Sequence, residues 1–220
     1  MIKILAILIL VLSVVVHEVA HGLTAYLMGD KTAQKLGRLS FNPIRHIDPV
    51  LTLVLPLFLY LAGSPILFGG AKPVPVNPYF FRFPRLQMAV VALAGPLSNF
   101  LLALLVILSL KFLVVPFADS NLDSPLYLIL LAIGFQAIAV NLVLGFFNLL
   151  PLLPLDGGRI VNGFLPNNLS LLYSQLEPFG IILVFLLLLS GALDPLFNNV
   201  FHLIEWSYRF AIGSQVDLFG

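Results

Sequence analysis

The chain has 220 residues, of which 60% are hydrophobic and only 10% are charged. A soluble domain usually carries about 25% charged residues, so this composition excludes an ordinary water-soluble fold. The net charge of +1 and the lack of a basic patch give no support to a nucleic-acid partner. The absence of cysteine excludes disulfides, thiolate metal sites and a cysteine nucleophile. Length and composition together predict one domain, residues 1–220, embedded in a lipid bilayer.

Long apolar stretches with almost no charge follow one another along the chain. They cover residues 4–28, 49–71, 86–110, 124–155 and 178–193. Because a helix needs roughly 20 apolar residues to cross the hydrocarbon core, the first, third and fourth stretches are predicted to span the membrane. The fifth reaches this length once its flanks are added. The first lacks a small-residue cleavage site, so we expect a retained helix and not a signal peptide. An amphipathic helix is predicted over 196–212, with His202, Glu205 and Arg209 on one face.

The second apolar stretch is interrupted by Pro56 and by a glycine-serine-proline group at 63–65. Basic residues lie in the loops on both sides of it, and such residues favour the cytoplasmic side of a membrane. We therefore expect a re-entrant segment over 49–71 that enters and leaves by the cytoplasmic face. A plain second span remains the alternative, and it would reverse the orientation of everything that follows.

Residues 37–48 alternate imperfectly between polar and apolar, with turn residues at Asn42 and Pro43. This pattern predicts a short strand or hairpin at the membrane surface. We expect residues 31–48 to line part of a polar channel that leads to the functional site. His46 and Asp48 are interpreted as interfacial residues, although an approach to a metal stays open for both.

The first apolar helix carries the pattern His17-Glu18-Val19-Ala20-His21. Residues four apart lie on one helical face, about 5–6 Å apart, so both imidazoles can reach one ion while Glu18 stands beside it without ligating. Ionisable groups inside a membrane cost at least ~2.5–3.5 kcal/mol for a charge at the centre. Three such groups on neighbouring turns therefore indicate a compensating divalent cation.

A catalytic zinc site uses three protein ligands and leaves one position open. Asp156 is the best candidate for the third ligand, because it follows the helix-breaking prolines Pro151 and Pro154 and precedes two glycines that allow the chain to turn. Asn148 lies eight residues earlier, just over two helical turns, and this spacing points it toward the same ion.

These motifs, in this order, resemble those of the site-2 protease family of intramembrane metalloproteases. The resemblance rests on the His17–His21 pattern, on Ala94-Gly95-Pro96-Leu97-Ser98-Asn99, and on Asn148 followed by Asp156-Gly157-Gly158. The segment 71–78 looks like that of short bacterial members, which lack the peptide-binding and nucleotide-sensing domains found elsewhere in the family. The resemblance covers a catalytic core over about 4–160, and it leaves C-terminal helices over about 170–212.

The resemblance implies an all-α, multi-pass membrane protein with a three-helix core. It implies one zinc ion on His17, His21 and Asp156, with Glu18 as general base and Asn148 as a hydrogen-bond donor to the substrate carbonyl. Asn99 stays open between a role in the site and helix packing. The expected localisation is the bacterial cell membrane, with the site nearer the cytoplasmic side.

The expected reaction is hydrolysis of peptide bonds in or near transmembrane segments of membrane proteins. A metal-ion transporter or channel that uses the same polar residues is the main alternative. Transporters usually carry internal repeats, and none is found in this sequence. A catalytically inactive membrane scaffold is a third possibility, although all of the expected site residues are present.

Overall fold

The computed structural model describes residues 2–49, 71–117 and 124–213. These residues form α-helices joined by loops and short 3₁₀ turns, and no strand occurs among them. In chain order the helices are α1 Ile2–Leu27, α2 Thr32–Lys35, α3 Pro84–Ser109, α4 Pro125–Asn148, α5 Asp156–Phe164, α6 Asn167–Ser174, α7 Glu177–Leu189 and α8 Asp194–Ile212. The all-α prediction is therefore confirmed.

Three helices are long and apolar enough to cross a membrane: Leu5–Leu27 in α1, Pro84–Val114 in α3 and its continuation, and Pro125–Asn148 in α4. In the most apolar 18-residue part of each helix, only 28% to 33% is buried inside the protein. Large apolar side chains are exposed along all three helices, as expected for residues that face lipid. The three spans predicted from the first, third and fourth apolar stretches are confirmed.

Helix α3 is the centre of the bundle, and it packs against α1, α4 and α5. The main apolar core lies between the second half of α3, the first part of α4 and α8. Tyr208 of α8 is fully buried there, and its hydroxyl donates to the backbone carbonyl of Leu131 at 3.2 Å. This core fixes the helices at one end and leaves the other end of the bundle for the polar residues.

The C-terminal part of the fold differs from the prediction at one element. The fifth apolar stretch forms α7, which has only 13 residues and is too short to cross a bilayer alone. Helices α6 and α7 meet at a bend of 67°, and only as a bent pair do they reach the length of a span. The predicted amphipathic helix is confirmed as α8, where Arg209 pairs with Glu205 at 2.8 Å.

The strand or hairpin predicted over 37–48 is wrong. The segment contains a 3₁₀ turn, Pro43–His46, and irregular backbone. Polar side chains satisfy the local backbone: Asn42 Oδ1 accepts from the Ile44 N–H at 3.1 Å, and the Ser40 hydroxyl accepts from the Asn42 N–H at 3.2 Å. Such local bonds compete with strand pairing, and here they prevail over the alternation. The re-entrant segment expected over 49–71 falls almost wholly on residues 50–70, outside the described residues, and stays a prediction.

An extended segment, residues 71–77, lies against α1 and brings a second layer of backbone over the polar end of the bundle. Pro73 and Pro75 keep it extended and leave it few free N–H groups. Among the described residues, hydrogen bonds hold it at both ends and in the middle. Lys72 N–H donates to the His46 carbonyl at 2.8 Å, and Arg38 Nη2 donates to the carbonyls of Lys72 at 2.6 Å and Pro73 at 3.4 Å. Val74 N–H donates to Glu18 Oε2 at 2.7 Å and Asn77 N–H to Asp30 Oδ2 at 2.6 Å.

Candidate metal centre

The side chains of His17, His21 and Asp156 meet in the interior of the bundle. The two histidines come from successive turns of α1, and Asp156 is the first residue of α5. The Nε2 atoms of the histidines are 3.0 Å apart, and Oδ2 of Asp156 lies 3.1 Å from His17 Nε2 and 3.3 Å from His21 Nε2. These three are the one group of potential metal ligands found among the described residues.

The hydrogen bonds of the two imidazoles leave their metal-facing nitrogens without protons. His17 Nδ1 donates to Asn99 Oδ1 at 2.6 Å, and His21 Nδ1 donates to the Val91 carbonyl at 2.7 Å. A neutral imidazole carries one proton, so each Nε2 presents a lone pair. Oδ2 of Asp156 is buried and accepts no hydrogen bond. Three lone-pair donors that face one another need a cation between them.

The donor set fits zinc. Two imidazole nitrogens and one carboxylate oxygen are a common ligand set of catalytic zinc, and they leave the fourth position free for water or substrate. Gly95 of α3 leaves space for an ion beside the two imidazoles, because a Cβ at this position would collide with His21 Nε2 and His17 Cε1. The glycine therefore keeps a neighbouring helix from filling the space in which the ion would be held.

Glu18 lies next to this group without belonging to it. Its Oε2 accepts the Val74 N–H of the 71–77 segment at 2.7 Å. The side chain is partly buried and lines the cavities on both sides of the site. Glu18 is thus a carboxylate with one oxygen held by the backbone, placed beside the ligands as the spacing of the motif predicts.

Two cavities meet at the site and share His17, Glu18 and Asn148. The first, of about 330 Å³, is mostly apolar and lies between α1, α4 and α7. The second, of about 460 Å³, contains all three ligands and Arg159 and is bounded by residues 73–76 and α3. These two cavities are lined by residues of the 71–77 segment and by none of 31–48, so the expected lining of a channel by residues 31–48 stays a prediction.

Asn148 lies beside the site, but the helical spacing used to place it there is wrong. Helix α4 ends at Asn148, residues 149–155 form a loop, and Asp156 begins a new helix. The side chain lines both cavities, and Nδ2 donates one of its two hydrogens to the Leu144 carbonyl at 3.0 Å. The second N–H hydrogen and Oδ1 remain for a bound molecule.

The two glycines after Asp156 have a different role from the expected turn. Both lie in the first turn of α5. A Cβ on Gly157 would collide with the carbonyls of Leu149 and Leu150, and one on Gly158 with the backbone of residues 152–153. They allow the 149–155 loop to pack directly on α5, which holds Asp156 against the histidines.

The structure bears on Asn99, which the sequence leaves open between two roles, and on His46, which it predicts at the interface. Asn99 is fully buried, and its hydrogen bond to His17 connects it to the site more directly than helix packing alone. His46 was expected at the interface, but it is buried, and its Nε2 bonds to the Ser40 carbonyl at 2.8 Å because the 3₁₀ turn folds it inward. Neither His46 nor Asp48 is part of the ligand group.

Sequence reasoning missed Ser13 and Asn141, which are buried and linked to Asn99 by hydrogen bonds. Each is a polar residue inside an otherwise apolar span. Because polar groups in such spans are costly, this position alone is a signal that they have a partner.

The comparisons with known proteins agree with this geometry. The model of Peptidase family M50 matches residues 5–190, a range that includes the three candidate ligands, Glu18 and Asn148. The chain belongs to this family. The resemblance to site-2 proteases is thereby confirmed, and the M50 chain is a zinc-dependent peptidase that resides in a membrane.

The relatives of this M50 peptidase are bacterial and archaeal. YwhC of Bacillus subtilis, a candidate zinc metalloprotease by its name, is 41% identical over 199 residues, which are 86% of this chain and 84% of that protein. Rip2 of Mycolicibacterium smegmatis, named in the same way, is 30% identical over 200 residues, 91% of this chain and 71% of its own. Zinc metalloprotease MJ0392 of Methanocaldococcus jannaschii is 30% identical over 115 residues, 51% and 31% of the two chains. No solved structure matches the chain.

Proposed function

We propose that this M50 peptidase hydrolyses peptide bonds in or near the transmembrane segments of membrane proteins. The observation that carries the proposal is the position of the ligand group: it lies between helices long enough to span a bilayer, where an apolar and a more polar cavity meet. An apolar substrate segment suits the first cavity, while water suits the second. The domain that performs this reaction is proposed to be the whole of residues 1–220.

His17, His21 and Asp156 are proposed to hold the zinc ion. Zinc supplies a Lewis acid for the scissile carbonyl and lowers the pKa of water toward about 7. The two Nδ1–H bonds hold the imidazole planes, and Gly95 keeps the space between them clear. The chain thus contributes ligands that are oriented before the metal arrives.

Glu18 is proposed as the general base and then the general acid. Oε2 is held by the Val74 N–H, so Oε1 is free to take a proton from the attacking water and to return it to the leaving amine. Asn148 is proposed to donate its unused Nδ2 hydrogen to the carbonyl oxygen, where negative charge develops. The arrangement supports one proton carrier and one hydrogen-bond donor beside the metal position.

The site is proposed to open to the cytoplasmic side of the bacterial cell membrane. His21 lies six residues before the end of α1 at Leu27, which corresponds to roughly 9 Å along the helix. Lys31 and Lys35 follow at that end, and basic residues favour the cytoplasmic side. Labelling of an engineered cysteine at Lys35 by a membrane-impermeant reagent tests this: the residue should be protected in intact cells and labelled in inverted vesicles.

Glu18→Gln is the test of the proposed reaction. The purified protein is placed in liposomes with a single-pass membrane substrate, and zinc content and cleavage are measured on the same sample. We expect one zinc ion per chain to remain and cleavage to fall by about 10²–10⁴-fold, since a general acid–base group is lost. A substrate is found by proteomics that compares cells with the wild type and the Glu18→Gln chain. Cleavage that persists in the variant, or metal transport across the liposome membrane with no cleavage, contradicts the proposal.

A further inference from the structure

A chain of buried hydrogen bonds leads from the first ligand histidine through the interior of the bundle. Its members come from the three spanning helices: Ser13 and His17 from α1, Asn99 from α3 and Asn141 from α4. Each is at most 7% exposed. Groups of this kind are expensive in an apolar bundle, so each needs a fixed partner.

The bond from Asn141 to the Ala137 carbonyl, at the end of this hydrogen-bond series farthest from the site, determines which atom donates in every other bond. Asn141 Nδ2 donates to the backbone carbonyl of Ala137 at 2.9 Å, and a carbonyl can only accept. Its Oδ1 is therefore left to accept from Asn99 Nδ2, also at 2.9 Å. The Asn99 Oδ1 must then face His17, where it accepts the Nδ1 proton at 2.6 Å. The proton of His17 is thereby kept on Nδ1, and Nε2 is left bare.

Two further contacts hold the amides against rotation. The Ser13 hydroxyl accepts the second Asn141 Nδ2 hydrogen at 2.9 Å, and the Ser13 carbonyl lies 3.5 Å from Asn99 Nδ2. Reversing Asn141 would place its Oδ1 against the Ala137 carbonyl. Reversing Asn99 would place its oxygen against Asn141 Oδ1. Both reversals put two acceptors in contact in a buried site.

We propose that Asn141, acting through Asn99, is a positioning residue that selects the metal-binding tautomer of His17. It lies two hydrogen bonds from the ligand ring and has no contact with the metal position itself. His21 needs no such device, because a backbone carbonyl accepts its Nδ1 proton directly. The inference rests on the proposed ligand role of His17, and it adds a residue that neither the zincin pattern nor the spacing of the motifs indicates.

If Asn141 had a purely structural role, its variants would behave differently from those of a positioning residue. Polar residues also tie membrane helices together, and removal of such a bond costs packing energy alone. In that case Asn141→Leu and Asn141→Asp would lower zinc affinity to the same extent. In the proposed role they differ, because a protonated carboxyl group at this position can donate its O–H to the Ala137 carbonyl while its other oxygen accepts from Asn99 Nδ2, and leucine does neither.

The experiment measures zinc affinity by competition with a chromophoric chelator in detergent. For Asn141→Leu we expect the Kd to rise by about 10–100-fold, the range typical of residues behind a metal ligand. Asn141→Asp should bind within about threefold of the wild type. Asn162→Leu is the matched control: it removes an amide that bonds to Ser170 and Ser174, and it should leave the Kd unchanged.

Nitrogen-15 NMR of the metal-free protein reads the tautomer itself. The chain has four histidines, and substitutions of His46 and His202 assign the two that lie outside the site. We expect His17 to carry its proton on Nδ1 in the wild type and in Asn141→Asp, and to shift toward Nε2 in Asn141→Leu. A change in packing alone does not move this signal.

A double variant gives a second, independent test. In Asn99→Asp one carboxyl oxygen accepts the His17 proton whatever stands at position 141, because the second oxygen can carry a proton toward Asn141 Oδ1 or stay ionised beside leucine. Asn141→Leu in this background should therefore change the zinc Kd by less than threefold. The non-additivity measures the coupling between the two positions. If Asn141→Leu alone does not fold, the wild-type spectrum decides: a His17 proton on Nε2 in the metal-free protein would overturn the inference.

The results separate this inference from the proposed function. A wild-type chain that binds zinc in the expected tautomer but cleaves no membrane protein leaves the inference standing and removes the proposed function. A wild-type chain that cleaves, together with Asn141→Leu that binds zinc as tightly as the wild type, overturns the inference alone. The inference is also overturned if Asn141→Leu and Asn141→Asp lose zinc affinity equally while the tautomer of His17 stays unchanged.

Discussion

Gly95 matters to the candidate metal centre because it has no side chain. It lies on α3, the helix that packs against α1, directly opposite the two ligand imidazoles. Any Cβ would enter the space between His17 and His21. The glycine is therefore needed for the site and not for the helix, in which glycine is destabilising by roughly 0.5–1 kcal/mol relative to alanine.

Gly95→Ala should weaken zinc binding by at least tenfold, because the methyl group forces the imidazoles away from their common focus. Zinc affinity in detergent measures this. Gly134→Ala is the matched control, since its methyl group would meet only the flexible side chain of Leu110 in the apolar core. We expect it to change stability and to leave zinc affinity intact. Equal zinc affinity in the two variants would show that Gly95 has no special place in the site.

The arrangement of the two candidate ligand histidines and Glu18 could be predicted from the sequence because the relevant geometry is local. A spacing of four on a helix puts His17 and His21 on one face in any fold. Asn99 and Asn141 could not be placed, because their contacts join helices 42 and 82 residues apart in the chain and depend on how α1, α3 and α4 pack. The position of each within an apolar span was the signal that was available.

At the scale of elements, the 71–77 segment and the 149–155 loop complete the site. The first holds Glu18 through the Val74 N–H, and the second packs on α5 to place Asp156. Neither is regular structure, so hydrophobic periodicity does not detect them. The same limit explains the errors at 37–48, where Asn42 and Ser40 cap a turn, and between Asn148 and Asp156, where a loop replaces the expected helical turns.

Asp30 anchors the 71–77 segment, and the pH dependence of stability should report it. Its side chain is fully buried; burial raises its pKa, but the N–H groups of Asn77 and Thr32 outweigh this, so the pKa lies below its usual value. A lowered pKa in the folded state means that Asp30 stabilises the fold above the unfolded pKa of about 3.9 and that this contribution is lost as pH falls through the lower folded value.

Asp30→Asn should therefore destabilise the protein by about 1–3 kcal/mol at pH 7, since the amide sets an N–H group against a backbone donor. Chemical unfolding in detergent measures the free energy, and the gap from the wild type should narrow as pH falls below about 4. Asp194→Asn, at the exposed start of α8, is the control and should cost less than about 1 kcal/mol. A gap that is constant with pH contradicts this role.

At the scale of the whole molecule, the candidate metal centre joins two parts of the chain that are 135 residues apart. His21 belongs to the first span and Asp156 to the helix that follows the last one. Because an unfolded chain does not hold the three ligands together, zinc binding and folding should be coupled. At a free zinc concentration 100 times the Kd, the stabilisation should be about 2.7 kcal/mol.

Thermal unfolding in detergent with and without zinc measures this coupling. The wild type should gain stability with zinc concentration, and chelation should remove the gain. Asp156→Asn loses the charged ligand, so its unfolding should respond little to zinc up to the same concentration. A wild-type chain that is equally stable with zinc and with a chelator would argue against a metal that links α1 to α5.

X-ray absorption at the zinc edge is the sharpest test of zinc coordination by His17, His21 and Asp156, because it reads the ligands of the bound ion. We expect a four-coordinate ion with two imidazole nitrogens and a carboxylate oxygen at about 2.0–2.2 Å, and the loss of one imidazole signal in His21→Ala. A six-coordinate, all-oxygen environment in the wild type, or an imidazole signal that is unchanged in His21→Ala, would contradict it.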